Sequence, residues 1–389
     1  MSKIIAIGTG VPPHAHTQDE VLGFMQRIHA SSAEEARKMK FLYRHSGIDT
    51  RYSVVPDYHL PAAEWTFYSP SENLEPFPST EKRMQWYGRH APVLAVQAIR
   101  SCLEGLEDPG ALTHLITVSC TGMSAPGLDL QIMEAMQLPT SIFRSSVNFM
   151  GCYAAIHGLK WADAICRSDP DAKVMVVCVE LCTLHFQSEA TKDNISSAML
   201  FADGAAAVLV TPDTDPRGGF RLEQFHSEVS LQGKSDMAWD ITSSGFQMTL
   251  SSYIPDLVEA DFASLVDRAL KKAGLGVPDI RHWCIHPGGK RILEAIGQSL
   301  HLADGELDPS YAVMRAYGNM SSPTLLFVLQ RIQEGLRGGN AGGGNAGGGN
   351  AGGGAGHAIS GGAGPAVEYV FAAAFGPGLT METFIASVV

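Results

Sequence analysis

Short apolar runs bounded by turn residues recur along the chain and alternate with longer segments in which apolar residues follow a helical period. The short runs predict strands buried on both faces, and the longer segments predict helices. The predicted strands span residues 3–8, 114–120, 173–181, 205–211, 282–287, 368–374 and 382–389. The predicted helices span residues 90–106, 126–137, 152–166, 260–273, 288–301 and 322–336. This alternation indicates a layered α/β architecture.

The strand-helix-strand pattern occurs twice, which predicts two similar α/β halves. The first half is expected to cover residues 1–212 and the second residues 213–389, because the apolar run 205–210 is followed by Pro212 and Pro216.

A glycine-rich tract, GGNAGGGNAGGGNAGGGA, occupies residues 338–355 of the second half. It has almost no side chains with which to form a core, and its backbone freedom is maximal. We therefore expect a flexible insertion that carries no chemistry. Loop-closure entropy costs only about 0.6 kcal/mol per doubling of length, so the fold can tolerate the tract.

Composition and charge narrow the possible partners. The 389 residues are 45% hydrophobic and 17% charged, and the net charge of -12 argues against nucleic acid, because phosphates require a basic face. No apolar run approaches the roughly 18 residues that span a bilayer, and a predicted strand follows Met1 almost directly. Neither a nucleic-acid nor a membrane partner is expected, and the expected location is the cytoplasm.

The seven cysteines lack paired CxxC spacing, so we expect reduced thiols and no metal site. Cys152 differs from the others because it opens a predicted helix of small and apolar residues. At a helix start, free N–H groups and the helix dipole favour a thiolate, and a nearby imidazolium would lower the thiol pKa further. The alternative is a small core residue, which is the usual role of a buried cysteine.

Two more polar residues stand at predicted strand-to-helix junctions. His286 ends an apolar strand within HPGG, at the sheet edge where ligand sites of α/β proteins cluster. Asn319 lies within YGNMSS, in a turn before another helix. For Asn319 the alternative is a turn or helix-capping role.

Cys152, His286 and Asn319, in that order at three such junctions, resemble the triad of thiolase-fold condensing enzymes. HPGG, YGNMSS and the late FGPG resemble the chalcone synthase group, the type III polyketide synthases, in the form found in bacteria. IGTGVPP near the start, the Arg51-Tyr52 pair, SCTG and FADGAAA are also similar. The resemblance runs from end to end apart from the glycine tract. It implies a thiolase-like fold, with two αβαβα halves in five layers.

The resemblance implies that Cys152 is the nucleophile, which accepts the starter acyl group from coenzyme A and later the growing chain. His286 would keep Cys152 as a thiolate. His286 and Asn319 would donate hydrogen bonds to the malonyl thioester oxygen and stabilise the enolate formed on decarboxylation. The resemblance also implies a homodimer, malonyl-CoA and an acyl-CoA starter as substrates, and no bound cofactor. The product would be a cyclised pyrone, resorcinol, or phloroglucinol or naphthalene.

The walls of the substrate pocket also follow from the resemblance. Phe201 matches the first of the family's two gating phenylalanines, whereas Met248 stands in place of the second. Ala125 replaces a methionine that crosses the dimer interface. The other implied pocket residues are Cys120, Thr121, Cys182, His185, Ser321, Phe375, Gly376 and Pro377. Core packing without substrate contact is the alternative for Phe201 and Met248.

The pocket substitutions leave two starters open. The small Ala125 and the flexible Met248 remove bulk, which would admit aliphatic acyl-CoAs of medium or long chain. Cys120, Cys182 and His185, which stand where threonines are usual, could instead line a compact pocket in which malonyl-CoA is its own starter. A single pocket exchange is worth only about 1–3 kcal/mol, so neither set of residues decides alone.

Basic residues in the position of the family's coenzyme A contacts lie on an early helix. Lys38, Arg44 and His45 are the candidates, within a cluster that includes Arg37 and Lys40. Lys38 is the best positional match, and His45 replaces a lysine. A solvated basic face is the alternative.

Three other functions stay open from the sequence. A ketoacyl-ACP synthase III shares the triad, but condenses once and takes malonate from acyl carrier protein. An inactive scaffold subunit of a synthase would release no coenzyme A. A cysteine hydrolase using Cys152 and His286 would yield free acid without an extended product.

Overall fold

The computed structural model describes residues 1–71, 73–251, 254–341 and 367–389. Only the first four residues of the predicted glycine insertion 338–355 fall within these ranges. They belong to the last helix, so the prediction of a flexible loop is wrong for them, and residues 342–355 lie outside the described part. Among the helices in these ranges, none combines the length and the hydropathy that a membrane span requires.

The strands and helices alternate along most of the chain. The strands are β1 (Ser2–Gly10), β2 (His14–Thr17), β3 (Thr50–Ser53), β4 (His114–Ser119), β5 (Phe143–Asn148), β6 (Val174–Leu181), β7 (Asp203–Pro212), β8 (Phe220–Val229), β9 (Met237–Thr242), β10 (Gly245–Leu250), β11 (Ile280–Ile285), β12 (Tyr369–Gly376) and β13 (Thr380–Val388). The helices are α1 (Gln18–His29), α2 (Ala33–Arg44), α3 (Thr80–Leu103), α4 (Leu128–Met136), α5 (Ala154–Ser168), α6 (Lys192–Leu200), α7 (Ile254–Ala273), α8 (Lys290–Leu300), α9 (Asp308–Tyr317) and α10 (Ser322–Ala341).

Nine strands form one mixed sheet in the order β11-β12-β13-β8-β1-β7-β6-β4-β5. Strands of the first half occupy one side of this order and strands of the second half the other. They meet where β1 pairs with β8 over three residues. Two antiparallel pairs, β2 with β3 and β9 with β10, lie outside the large sheet.

Strands buried on both faces explain the continuous apolar runs of the sequence. In β6, Val176 faces a central core and Val177 faces an outer core. In β7, Val208 faces the central core and Ala207 faces the outer core. Each strand therefore contributes side chains to two cores.

Three buried clusters fill the spaces between five layers, and the second cluster lies on both sides of the central helices. The first lies between α3 and the sheet of the first half, and the second holds α5 and α10 between the two half-sheets. The third packs α7 and α8 against the second half-sheet. The expectation of a five-layer α/β fold is thus confirmed.

Each of the seven predicted strands and six predicted helices overlaps an observed one. The largest boundary error is in α3, which begins at Thr80 because the Ser79 side chain accepts a hydrogen bond from the Lys82 N–H. Several elements were missed, including β5, β8, α1, α6 and α9. β5 and β8 were missed because they carry polar side chains and lack an apolar run.

Candidate active site

A buried cavity is lined by residues of both halves. The predicted residues that line it are Cys120, Thr121, Cys152, Cys182, His185, Phe201, Met248, His286, Asn319, Ser321, Phe375 and Pro377. Two predicted pocket residues do not line it: Ala125 is exposed on the surface, and Gly376 lies behind the wall against Tyr153. The fold therefore brings the three triad candidates to one cavity.

Cys152 lies in a tight turn that precedes α5. The turn is one 3-10 turn, Gly151–Tyr153, so Cys152 is not the first residue of the α-helix as predicted. Gly151 has φ of +78°, and a Cβ there would stand 2.3 Å from Pro377 Cδ. The late FGPG sequence thus packs directly on the cysteine turn, which requires glycine at position 151.

Burial sets the protonation of Cys152 and His286. Desolvation raises the pKa of the Cys152 thiol to about 12, against a hydrogen bond from Ser321 that lowers the pKa. Desolvation also lowers the pKa of His286 to about 3. Burial therefore favours the neutral thiol and the neutral imidazole in the free protein, which argues against the predicted standing thiolate. From these neutral forms, a thiolate would arise by proton transfer during the reaction.

His286 follows β11 and is held by its backbone alone. Its N–H donates to the Ala373 carbonyl at 2.9 Å, and its carbonyl accepts from the Gly288 N–H at 2.9 Å. The side chain is 1% exposed, and neither ring nitrogen has a hydrogen-bond partner among the described residues. A buried polar group without a partner is costly, so it usually marks a binding or catalytic position.

The side-chain amide of Asn319 is oriented as a donor towards the site. Its Oδ1 accepts from the Ser321 N–H at 2.8 Å, and its Nδ2 makes a long contact of 3.4 Å to the Gly288 carbonyl. The Asn319 side chain also interacts with the Cys152 thiol and favours the thiolate by hydrogen bonding. Backbone hydrogen bonds between Asn319 and both Leu200 and Ala202 fix the turn beside Phe201. Ser321 has φ of +59°, a strained value for a residue with a side chain.

Glu180 supports the site from behind the cavity wall, and the sequence analysis missed it. It is fully buried on β6, where it accepts from Cys120 N, Thr121 Oγ1 and Ser322 Oγ at 2.6–2.9 Å. Desolvation raises its pKa. Its position as a charged residue inside the apolar run 174–181 could have identified it from the sequence. It ties the loop after β4 to the start of α10, next to the Asn319 turn.

An aromatic wall closes one side of the cavity. His185 Nδ1 accepts from the Phe246 N–H at 3.0 Å, so Nε2 carries the proton and donates to the Thr121 carbonyl at 2.6 Å. The ring stacks on Phe246 at 4.2 Å between centroids. Trp239 meets His185 edge-on at 5.6 Å and donates from Nε1 to the Cys120 carbonyl at 2.7 Å. Trp239 was not predicted, and no local sequence signal marks it.

The coenzyme A candidates lie on the exposed helix α2, and none lines the cavity. Lys38 pairs with Glu34 at 2.7 Å, and His45 Nδ1 contacts the Phe41 carbonyl at 2.7 Å at the end of the helix. Arg44 is exposed. The basic cluster is therefore accessible but partly engaged in local contacts.

All seven cysteines are free and buried. Across the described part of the chain, no three His, Cys, Asp or Glu side chains are arranged to hold a metal ion.

Two family models match the chain. "Chalcone and stilbene synthases, N-terminal domain" matches residues 1–216, and "Chalcone and stilbene synthases, C-terminal domain" matches residues 224–389.

Curated relatives are similar over most of the chain. "Probable polyketide synthase 1" of Dictyostelium discoideum is 28% identical over 86% of this chain, which spans 11% of that protein's length. "Putative chalcone synthase" of Bacillus subtilis (strain 168) is 29% identical, covering 85% of this chain and 90% of the relative. "1,3,6,8-tetrahydroxynaphthalene synthase" of Streptomyces peucetius subsp. caesius is 27% identical, covering 85% of each. A crystal structure of PKS-I from the brown alga Ectocarpus siliculosus superposes with a TM-score of 0.87 at 26% identity, covering 100% of this chain and 98% of that one.

Proposed function

This chain belongs to the chalcone and stilbene synthase family, the acyltransferases called type III polyketide synthases, and from that premise we propose that it extends an aliphatic acyl group bound to Cys152. Malonyl-CoA is the extender, and the extended acyl chain is released as a cyclised product. The observation that carries the proposal is the meeting of Cys152, His286 and Asn319 in one buried cavity.

In the proposed acyl loading the thiol must first lose its proton, because burial raises the pKa of Cys152 and lowers the pKa of His286, which favours the neutral form of both. The Cys152 thiol gives its proton to His286 as sulfur attacks the thioester carbonyl of the acyl-CoA. The carbon–sulfur bond to coenzyme A breaks, and His286 returns the proton to the departing thiolate. This general-base route needs no resting thiolate.

Extension uses His286 and Asn319 as uncharged donors. When malonyl-CoA loses carbon dioxide, the electron pair moves to the thioester oxygen, where an N–H of His286 and Nδ2 of Asn319 stabilise the enolate. The enolate carbon attacks the acyl carbon on Cys152, whose sulfur leaves and then regains a proton. The low pKa of His286 favours this role, since a neutral imidazole donates one N–H at neutral pH.

Apolar walls support an aliphatic starter. Met248, Leu250 and Ile292 line the cavity beside the triad, and Val21 and Met25 of α1 extend its apolar lining. Burial of each methylene of an acyl chain is worth about 0.8 kcal/mol. The apolar surface therefore favours a medium-length chain.

The aromatic wall favours a second candidate. Trp239 and His185 narrow the cavity next to Cys120, which suits a compact product built from malonyl-CoA alone. The similar protein from Streptomyces peucetius is described as a tetrahydroxynaphthalene synthase. Mass spectrometry of products from the purified protein, malonyl-CoA and a panel of starters tests both candidates.

Met248→Phe should separate the two starters. Under the aliphatic proposal the larger ring fills the cavity, so we expect kcat/KM to fall by roughly tenfold or more on the longest acyl-CoAs and less on short ones. Product formation is measured by mass spectrometry across starters of increasing length. Leu302→Phe, outside the cavity lining, is the control. Equal turnover of malonyl-CoA with and without a starter, together with no chain-length effect, argues for the compact alternative.

Coenzyme A binding is proposed for the α2 face. Lys38 and Arg44 are exposed cations and His45 ends the same helix, so they offer charges to the nucleotide phosphates. The ion pair between Lys38 and Glu34 is exposed, so it costs little to break.

A homodimer is proposed through β5, which is the last strand of the large sheet. Its outer backbone edge is unpaired with any described strand, and Phe143 on it is 70% exposed. Unprotected sheet edges favour pairing with another chain. A second copy, related by twofold symmetry, would cover this edge.

Phe143→Glu should weaken this dimer, because it places a charge in the proposed apolar contact. We expect sedimentation velocity to show a dimer for the natural protein and a shift towards monomer for the variant. Leu231→Glu, at an exposed position of the second half, is the control that should stay dimeric. A monomeric natural protein at micromolar concentration contradicts the proposal.

A further inference from the structure

Arg51 is a buried cation on the cavity wall. It lies on β3, is 4% exposed and lines the same cavity as Cys152. Its Nη1 donates to the carbonyls of Ala198 and Phe201, each at 2.7 Å. Its Nε and Nη2 have no hydrogen-bond partner among the described residues. One edge of the guanidinium is thus anchored, and the other edge is unsatisfied.

No carboxylate of the described protein satisfies the free edge. Asp203 is the carboxylate that acts on Arg51 electrostatically. Its oxygens already accept from the Val54 N–H at 2.8 Å and from the Thr183 N–H and Oγ1 at 2.8 and 2.6 Å. Asp203 therefore offsets part of the charge from a distance and leaves the donors free.

Two tyrosines also face Arg51 without satisfying it. Tyr43 and Tyr58 act on its charge, and burial is the largest effect, which lowers the pKa of the guanidinium. The Tyr43 hydroxyl is close enough to Arg51 to favour its charged form by a weak hydrogen-bond interaction, but no hydrogen bond of standard geometry joins the two groups. An arginine remains charged under such burial, so its donors require an acceptor.

Ser197 supplies a second unsatisfied group on the cavity wall. It lies one turn before Phe201 on α6, and its buried Oγ has no partner among the described residues. Ser197 and Arg51 both line the cavity. We call Arg51 and Ser197 together the Arg51 subsite.

The free donors of the Arg51 subsite match a carboxylate. Parallel N–H groups from Nε and Nη2 form the fork that binds both oxygens of a carboxylate, and a serine hydroxyl can donate a third bond. The nearby lining from α1 is aliphatic, with Val21 and Met25. An acyl chain crossing this lining would bring a terminal carboxylate to the fork.

We propose that the Arg51 subsite binds the terminal carboxylate of the starter, so that the preferred starters are coenzyme A monothioesters of medium-chain dicarboxylic acids. This inference rests on the proposed function, because it concerns the acyl group carried by Cys152. It gives the two unsatisfied nitrogens of this buried arginine an acceptor.

Matched starters test the proposal. The purified full chain is given malonyl-CoA with adipoyl-CoA or hexanoyl-CoA, which differ only in a terminal carboxylate or methyl group. We expect kcat/KM for adipoyl-CoA to exceed that for hexanoyl-CoA by about tenfold or more, since a hydrogen bond to a charged group typically discriminates at that level. The selectivity ratio is the measured quantity.

Two variants separate recognition from folding. Arg51→Lys keeps a cation for the Ala198 and Phe201 carbonyls but loses the fork, so the ratio should fall to about one or below. Ser197→Ala should lower the ratio by several-fold. Ser196→Ala, on the same helix but outside the cavity lining, should keep the natural ratio. Thermal melting checks that each variant is folded.

Two results would overturn the inference. One is equal use of adipoyl-CoA and hexanoyl-CoA by the natural protein. The other is a folded Arg51→Lys variant whose selectivity ratio is unchanged, including a variant that loses activity on both starters in equal proportion. If hexanoyl-CoA is extended and adipoyl-CoA is not preferred, only the inference fails. If no starter is extended at all, the proposed function fails as well.

Discussion

Replacing Cys152 by alanine is expected to reduce extended product by at least about 10³-fold, because no other group accepts the acyl chain in the proposed mechanism. The fold should survive, since the exchange removes one buried sulfur at a cost of about 1 kcal/mol. The measurement is product formation by mass spectrometry, alongside thermal melting.

The same variant allows a sharper test of how the roles are divided. His286 and Asn319 are intact in Cys152→Ala, so slow decarboxylation of malonyl-CoA should continue while extension stops. Cys166→Ala, at a buried cysteine of α5 outside the cavity lining, is the control and should retain activity. Full turnover by a folded Cys152→Ala variant would end the covalent mechanism.

Removing either enolate donor is the second large effect expected. His286→Ala and Asn319→Ala should each lower malonyl-CoA decarboxylation by roughly 10²-fold or more, as loss of an oxyanion donor typically does. Release of carbon dioxide from malonyl-CoA without a starter is the measurement. Because no starter is present, this assay measures stabilisation of the enolate without the step that loads the starter.

Asn319→Asp distinguishes chemistry from packing. Aspartate keeps an oxygen to accept the Ser321 N–H, but replaces the Nδ2 donor by an acceptor. We expect decarboxylation to fall as in Asn319→Ala, with less loss of stability. The control is His282→Ala on β11, since His282 pairs with Glu368 at 2.9 Å and lies outside the cavity lining. Unchanged decarboxylation in both donor variants would show that another group stabilises the enolate.

The sequence and the structure favour different protonation states for the Cys152 thiol. A cysteine near a helix start predicts a lowered thiol pKa, because dipoles and N–H groups stabilise the anion. In the folded chain Cys152 is 7% exposed, and desolvation outweighs these local effects. Depth of burial depends on packing from distant segments, including the turn with Pro377, so the local sequence cannot supply it.

The sequence by itself determined the layered architecture and the three triad candidates. Strands such as β6 and β7 are buried on both faces, so a run of consecutive apolar residues is enough to predict that they lie inside the fold. HPGG, YGNMSS and FGPG are local patterns at turns, where backbone geometry restricts the residue types. Both kinds of signal are short in range and can be seen without the fold.

Only the tertiary structure decided which groups are left without partners. Ser197 and Trp239 carry no distinctive local pattern, and the Arg51-Tyr52 pair, although it fits the family, does not show that two nitrogens of Arg51 lack partners, because that depends on residues far along the chain. Whether a buried donor is satisfied depends on acceptors from other elements, as the Ala198 and Phe201 carbonyls show for one edge of Arg51. Hydrogen-bond satisfaction and desolvation are properties of three-dimensional neighbours, and a linear pattern of residues does not contain them.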